Sequence, residues 1–260
     1  MNKVLIATIA LTLAATGATA ADLTGKVSLD MVKDANDKFV ATPEIELGID
    51  GEMGVGSIGL IVDNADDTVK LDTYSLGVKV GEATVSFGDQ GDLMEAFEGS
   101  TEAVGGQTLT DLDDDGESIM VQTGNLGVMV GFADIGADVS DIKNVQVGAG
   151  AELGPVALAG AVNWDKASED ITVGLNAQMN YNAINLGGTV TYTEAVTGFE
   201  LSAGYGNFGA FLNGDENDMA QNIGGGYYGD TGAGLTYYGE VGYNIDTEEV
   251  TPAVGVKFNF

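Results

Sequence analysis

The 260-residue chain contains no cysteine and no histidine, and all nine of its basic residues are lysine, so arginine is missing as well. Without cysteine there is no disulfide, no thiolate metal site and no cysteine nucleophile. Without histidine, Ser-His hydrolases, His-ligated zinc and imidazole proton shuttles are excluded. Proline is scarce, at 3 residues. Past the first twenty residues no stretch is long and apolar enough to cross a bilayer as a helix, which takes ~20 residues.

What is present is acid, glycine and apolar side chains. Asp and Glu number 40 and glycine 40, while charged residues make up only 19% and apolar ones 44%. Disorder does not fit so apolar a composition, and the negative sign excludes nucleic acid as a partner. The carboxylates must line a wet surface: the outside of a soluble protein, the inside of a pore, or a salt-adapted exterior. Glycine is costly in helices and tolerated where backbones pack closely around a curved wall.

The first residues read as an export signal. Met1-Asn2-Lys3 is a short basic start, Val4 to Leu13 is apolar but too short to span, and Ala18-Thr19-Ala20 is a small-x-small cleavage pattern. Residues 1–20 are therefore expected to be a signal peptide cleaved after Ala20. The mature chain, 21–260, would carry forty carboxylates against eight lysines, a formal charge of −32.

That mature chain alternates with period two. Ile171, Val173, Leu175, Ala177, Met179 and Tyr181 oppose Thr172, Gly174, Asn176, Gln178 and Asn180. Ile45, Leu47 and Ile49 oppose Glu44, Glu46 and Asp50, and the last strand ends on aromatic Phe260. Alternation over eight to eleven residues is the mark of a tilted membrane strand. The runs give sixteen strands, at 23–32, 43–51, 54–63, 71–80, 83–89, 117–124, 126–134, 144–153, 155–164, 170–181, 183–193, 198–206, 207–214, 221–229, 232–244 and 250–260. The ragged, glycine-rich 207–214 and 221–229 leave fourteen as the alternative. The expected fold is all-β: an antiparallel transmembrane barrel with both termini at the same rim. A soluble β-sandwich or solenoid would also alternate. Against these, Tyr74, Phe87, Phe132, Trp164, Tyr181, Tyr192, Phe199, Tyr205, Tyr243 and Phe260 fall near run ends on the apolar parity, as interfacial aromatic girdles do.

Connections after even-numbered strands are tight (Gly81-Glu82, Asn125, Gly154, Asn182), while those after odd-numbered strands are longer and acidic. Short periplasmic turns and long extracellular loops differ in this way. The outlier is 90–116, too long to be structureless without a purpose. A barrel this size has a lumen that its own side chains cannot fill, and parity points Lys26, Lys79, Glu44, Glu46, Asp50, Asp72 and Lys257 into it.

With its signal peptide, Phe87-Gly88 before the long loop, Gly-Tyr-rich late strands and terminal Phe260, the chain resembles the Gram-negative general porins, especially those of marine and photosynthetic α-proteobacteria. The resemblance implies an outer-membrane homotrimer in contact with lipid and lipopolysaccharide. Assembly machinery would recognise Phe260, and 90–116 would fold into the lumen as a constriction. It also implies that the acidic side of that constriction is drawn from Glu95, Glu98, Glu102, Asp111, Asp113, Asp114 and Asp115. The family's basic side is usually an arginine cluster, which this chain lacks, so a carboxylate-ringed opening is expected to favour cations.

Asp111, Asp113, Asp115 and Gly116 also spell the opening of a calcium loop, but the twelfth position would be Gln122 rather than a bidentate Glu. No cofactor is required; calcium is the one ion these carboxylates would clamp.

The functional expectation is passive diffusion of small hydrophilic solutes and cations, with no catalysis. The rivals are a nutrient-specific channel, for which Tyr228 and Tyr238 are the few inward aromatics, and a structural or adhesive barrel with a plugged lumen. A barrel enzyme lacks the histidine it would use.

Overall fold

The computed structural model describes residues 21–33, 38–51, 54–63, 68–89, 93, 117–132, 142–217 and 220–259. The expected signal peptide, Phe260 and nearly all of 90–116 lie outside this set. The described residues form sixteen strands. They are β1 Ala21–Lys33, β2 Phe39–Gly51, β3 Gly54–Asp63, β4 Thr68–Val80, β5 Ala83–Asp89, β6 Glu117–Thr123, β7 Leu126–Phe132 and β8 Ile142–Leu153. The second half comprises β9 Val156–Asp165, β10 Ile171–Tyr181, β11 Ile184–Tyr192, β12 Thr197–Tyr205, β13 Phe208–Asp215, β14 Asn222–Asp230, β15 Leu235–Asn244 and β16 Glu249–Asn259. Each pairs antiparallel with its chain neighbours, and β1 pairs with β16 to close a barrel. The fourteen-strand alternative is thereby settled in favour of sixteen, because β13 and β14 form separately despite their glycines.

Most expected boundaries hold within a few residues, and the differences have local causes. The strand expected over 232–244 begins instead at Leu235, because Gly232 and Gly234 have φ of 73° and 80° and cannot continue an extended chain. The expected single-residue turn at Asn125 is a two-residue turn, Gly124-Asn125, with Gly124 at φ 53°. Gly81, Gly124, Gly154, Asn182 and Gly206 each occupy the first position of such a turn with positive φ. Two-residue hairpins favour this geometry because it matches the twist of the flanking strands.

Burial is inverted relative to a soluble fold. The largest fully buried side chains are Tyr74, Gln146, Asn144 and Asn163, while Val80, Leu175 and Leu201 are 63%, 60% and 55% exposed. An apolar exterior this continuous needs an apolar medium around it.

The aromatic girdle differs from expectation in detail. Trp164, Tyr181, Tyr192, Tyr205 and Tyr243 are exposed near strand ends, but Tyr74 and Phe132 are buried, at 2% and 6% exposure. The Tyr74 hydroxyl donates instead to Glu117 Oε1 at 2.6 Å, tying β4 to β6. Phe258 lies outward as the alternation of the last strand predicts, and Phe208, Tyr227 and Tyr237 complete an outward cluster that the raw alternation does not reveal. Within it Phe208 meets Tyr227 edge-on at 5.2 Å, and Tyr227 lies 6.1 Å from Tyr237.

Candidate functional site: the barrel lumen

Directly paired residues on neighbouring antiparallel strands share a face, so the register sorts the wall into two surfaces. Exposed Val27, Leu29 and Ile45 lie on the outer one, and Lys26, Ser28, Asp30, Glu44 and Glu46 lie on the inner one. Lys26 Nζ stands 3.0 Å from Glu46 Oε1 and 3.2 Å from Glu44 Oε2, which also accepts from Ser28 Oγ at 3.2 Å. Two strands further round, Lys79 pairs with Asp50. Lys26 and Lys79, two of the basic wall residues singled out in the sequence, are thus joined to acidic ones on the same face. Asp72 lies in β4, but its side chain is outside the described set.

Lumen-facing carboxylates still outnumber the lysines. Asp22, Asp30, Glu152, Glu200 and Glu240 share the inner face, where Lys257 and, by register, Lys70 are further bases. The rest of the wall is rich in amides, with Glu152 and Glu200 set among them. There Asn176 donates to Thr189 Oγ1 at 2.8 Å, and an amide ladder runs from Asn244 to Asn222 (2.8 Å) and on to Asn213 (3.0 Å). The ion pairs therefore gather on β1, β2 and β4, with Glu240 and Lys257 on β15 and β16, while β8 to β13 carry mainly amides apart from Glu152 and Glu200.

Two hollows indent this inner surface. One, of ≈ 440 Å³, is lined by Asn176, Gln178, Asn180, Asn185, Ser202 and Tyr228 among others. The second, of ≈ 410 Å³, is bounded by Lys26, Asp30, Glu44, Tyr228, Tyr238, Glu240 and Lys257. They share Tyr228. Its ring lies 6.5 Å from that of Tyr238 in a stacked arrangement with an interplanar angle of 27°. The Tyr238 hydroxyl donates to Asp30 Oδ1 (2.8 Å) and the Tyr228 hydroxyl to Glu240 Oε1 (2.6 Å). Sequence parity places both tyrosines inward but gives no sign that they meet, because Asp30 and Tyr238 are 208 residues apart in the chain.

The acidic loop candidates Glu95, Glu98, Glu102, Asp111, Asp113, Asp114 and Asp115 all lie outside the described residues. One member of their segment is described. The Leu93 backbone N–H donates to Gln146 Oε1 at 2.8 Å. A Cβ built on Gly127 would come within 2.7 Å of Leu93 Cδ2, and one on Gly148 within 3.5 Å of Leu93 Cβ. Gly127, Gln146 and Gly148 belong to the inner face of β7 and β8. Around that seat Asn144, Gln146 and Asn163 are at most 1% exposed, although they belong to the lumen wall. Positions 117–122, which would form the second half of a twelve-residue calcium loop from Asp111, lie in strand β6. Among the described residues no acidic cluster is arranged to hold a metal.

No family model matches the chain, and no curated protein matches it. Solved structures do. OmpT of Vibrio cholerae lacking loop L8, an outer membrane protein, superposes with a TM-score of 0.67 at 12% identity, covering 93% of this chain and 99% of that one. A substituted Rh. blastica porin gives 0.66 at 18% identity, covering 93% and 100%, and a second gives 0.65 at 17%. The fold is that of a porin barrel. At such identity the likeness reaches no further than the fold, so the porin barrel's contents must be argued from this chain's own residues.

Proposed function

We propose that the protein is an outer-membrane porin, a water-filled channel through which small hydrophilic solutes diffuse and which prefers cations. The observation that carries this is the closed barrel whose outward parity is apolar and whose inward parity is polar, with carboxylates in excess of lysines. A sixteen-stranded wall encloses more space than its inward side chains fill. Excess fixed negative charge in a narrow aqueous path concentrates cations and repels anions.

The Leu93 seat and the covered amides around it support a constriction built by 90–116 folding inward; on this reading the segment's carboxylates would stand against the lysines of the wall. Trimerisation, contact with lipopolysaccharide, recognition of Phe260 during assembly and removal of residues 1–20 belong to the same proposal. A calcium ion clamping Asp111, Asp113 and Asp115 would lower their mutual repulsion.

The test is a reversal potential in planar bilayers across a KCl gradient. The expected sign is that of K⁺ selectivity, shrinking as salt rises because screening acts within ~8 Å at physiological ionic strength. A chloride-selective potential refutes the charge preference. A folded barrel that never conducts points to a plugged, structural role.

A further inference from the structure

The hollow on β14, β15, β16, β1 and β2 combines features that a plain diffusion path does not need. We propose that it is a binding subsite for small organic cations, the ammonium group resting against the Tyr228–Tyr238 pair between Asp30 and Glu240. The inference rests on the reading of the barrel as a channel and names a solute class for it.

Three independent observations converge. The first is shape: an indentation of ≈ 410 Å³ in the lumen wall, large enough for a small organic ion with some of its water. The second is the ring pair, two half-buried tyrosines stacked 6.5 Å apart on the inner face. Aromatic faces attract cations through the ring quadrupole, most strongly where water is partly excluded. The third is the direction of the hydrogen bonds. Both phenols donate to carboxylates, Tyr238 to Asp30 and Tyr228 to Glu240, at 2.8 and 2.6 Å. That orientation enriches the rings in electron density and fixes them, while a carboxylate with ~4 acceptor positions keeps capacity for a further donor.

The charge around the site favours a cation over a neutral sugar. Lys26, which also lines the hollow, is drawn to Glu44 and Glu46. Asp30, Asp230 and Glu240 also line it and, with Glu44, outnumber the two lining lysines, Lys26 and Lys257. A neutral polyol would gain nothing from the net charge and would find its better hydrogen-bonding surface on the amide wall across Tyr228.

The experiment is isothermal titration of the detergent-folded barrel with choline, with glucose as the neutral comparison and KCl as the inorganic one. It needs no open channel. Choline is expected to bind, glucose not to, and 100 mM KCl to weaken choline binding by less than ten-fold. Replacing Tyr228→Leu and Tyr238→Leu together should weaken choline binding roughly ten-fold, given ~0.5–2 kcal/mol per cation–π contact. Asp30→Asn should weaken it several-fold, and Tyr238→Phe, which keeps the ring, less than that. Retained heat-modifiable migration on gels identifies variants that assemble, and the two single substitutions decide the matter if the double one does not. Choline binding no better than glucose, or unchanged by these substitutions, overturns the subsite. Choline binding by a barrel that fails to conduct supports the subsite and defeats the channel reading, so the two fail separately.

Discussion

Tyr74 on β4 donates its hydroxyl hydrogen to the Glu117 carboxylate on β6, bridging over β5 at 2.6 Å. Glu117 opens β6 where the longest connection ends, and Tyr74 pairs in register with Asp89, where that connection begins. The bond fixes the root of that loop whatever the loop itself does. Removing the hydroxyl with Tyr74→Phe takes away a bond to a charged acceptor, worth about 1.5–3 kcal/mol. The expected outcome is a lower thermal midpoint, followed through the fluorescence of Trp164, with an unchanged number of strands by circular dichroism.

Close beside it, a Cβ on Gly88 would run into the backbone carbonyl of Tyr74, and Gly88 has φ 147°. Gly88→Ala therefore combines an unfavourable backbone with a steric clash, about 1–3 kcal/mol for each. The yield of heat-modifiable folded barrel should fall sharply. Normal assembly of this variant would show that β5 can slide relative to β4.

The Lys79–Asp50 pair gives a charge test within the lumen. Lys79→Gln leaves the carboxylate uncompensated and should raise the K⁺ over Cl⁻ permeability ratio, and Asp50→Asn should lower it. A unit charge contributes about 1 kcal/mol at 4 Å in water and roughly 0.4 at 10 Å. Shifts of roughly two-fold at low salt are expected, collapsing toward unity at 1 M, where the Debye length is ~3 Å.

Leu93 reports on the constriction. Gly127→Val fills the space that Leu93 Cδ2 occupies, and Gln146→Leu removes the acceptor of its N–H. If 90–116 narrows the opening from this seat, either change should raise single-channel conductance while the barrel stays intact. Conductance equal to that of the unaltered protein in both variants would place the narrowing elsewhere.

Asn182 holds φ 56° where the equivalent turns use glycine. Asn182→Gly should be neutral or slightly stabilising, and Asn182→Val should cost about 1–2 kcal/mol, because a β-branched residue resists the left-handed region. Chemical denaturation midpoints in detergent check both.

The strands were legible in the sequence because one face must meet lipid and the other water, which writes period two directly into Ile171–Tyr181 and Val250–Phe258. Where glycine replaces side chains, as in β13 and β14, that record fades. The alternation still locates these strands, but it does not mark the outward Phe208, Tyr227 and Tyr237 as a girdle. Parity puts Tyr74 on the lipid surface because it says nothing about a hydrogen bond to a residue 43 positions away. The lumen's charge alternation could be read in Glu44, Glu46 and Lys26, whereas the meeting of Asp30 with Tyr238 depends on closure of the barrel. Residues 90–116 carry no periodicity, so only their length and their acidic side chains mark them.

Every hydrogen-bonded ladder but one joins strands adjacent in the chain, and the exception is the β1–β16 seam, where Lys26 faces Asn259 and Val32 faces Ala253. A nascent polypeptide can zip hairpin by hairpin, yet its first strand has no final neighbour until the last one has been made. Until then the growing sheet exposes two raw edges, which invite foreign strands. Protection of those edges, more than formation of any single hairpin, sets the hazard in the life of this molecule before it reaches a bilayer.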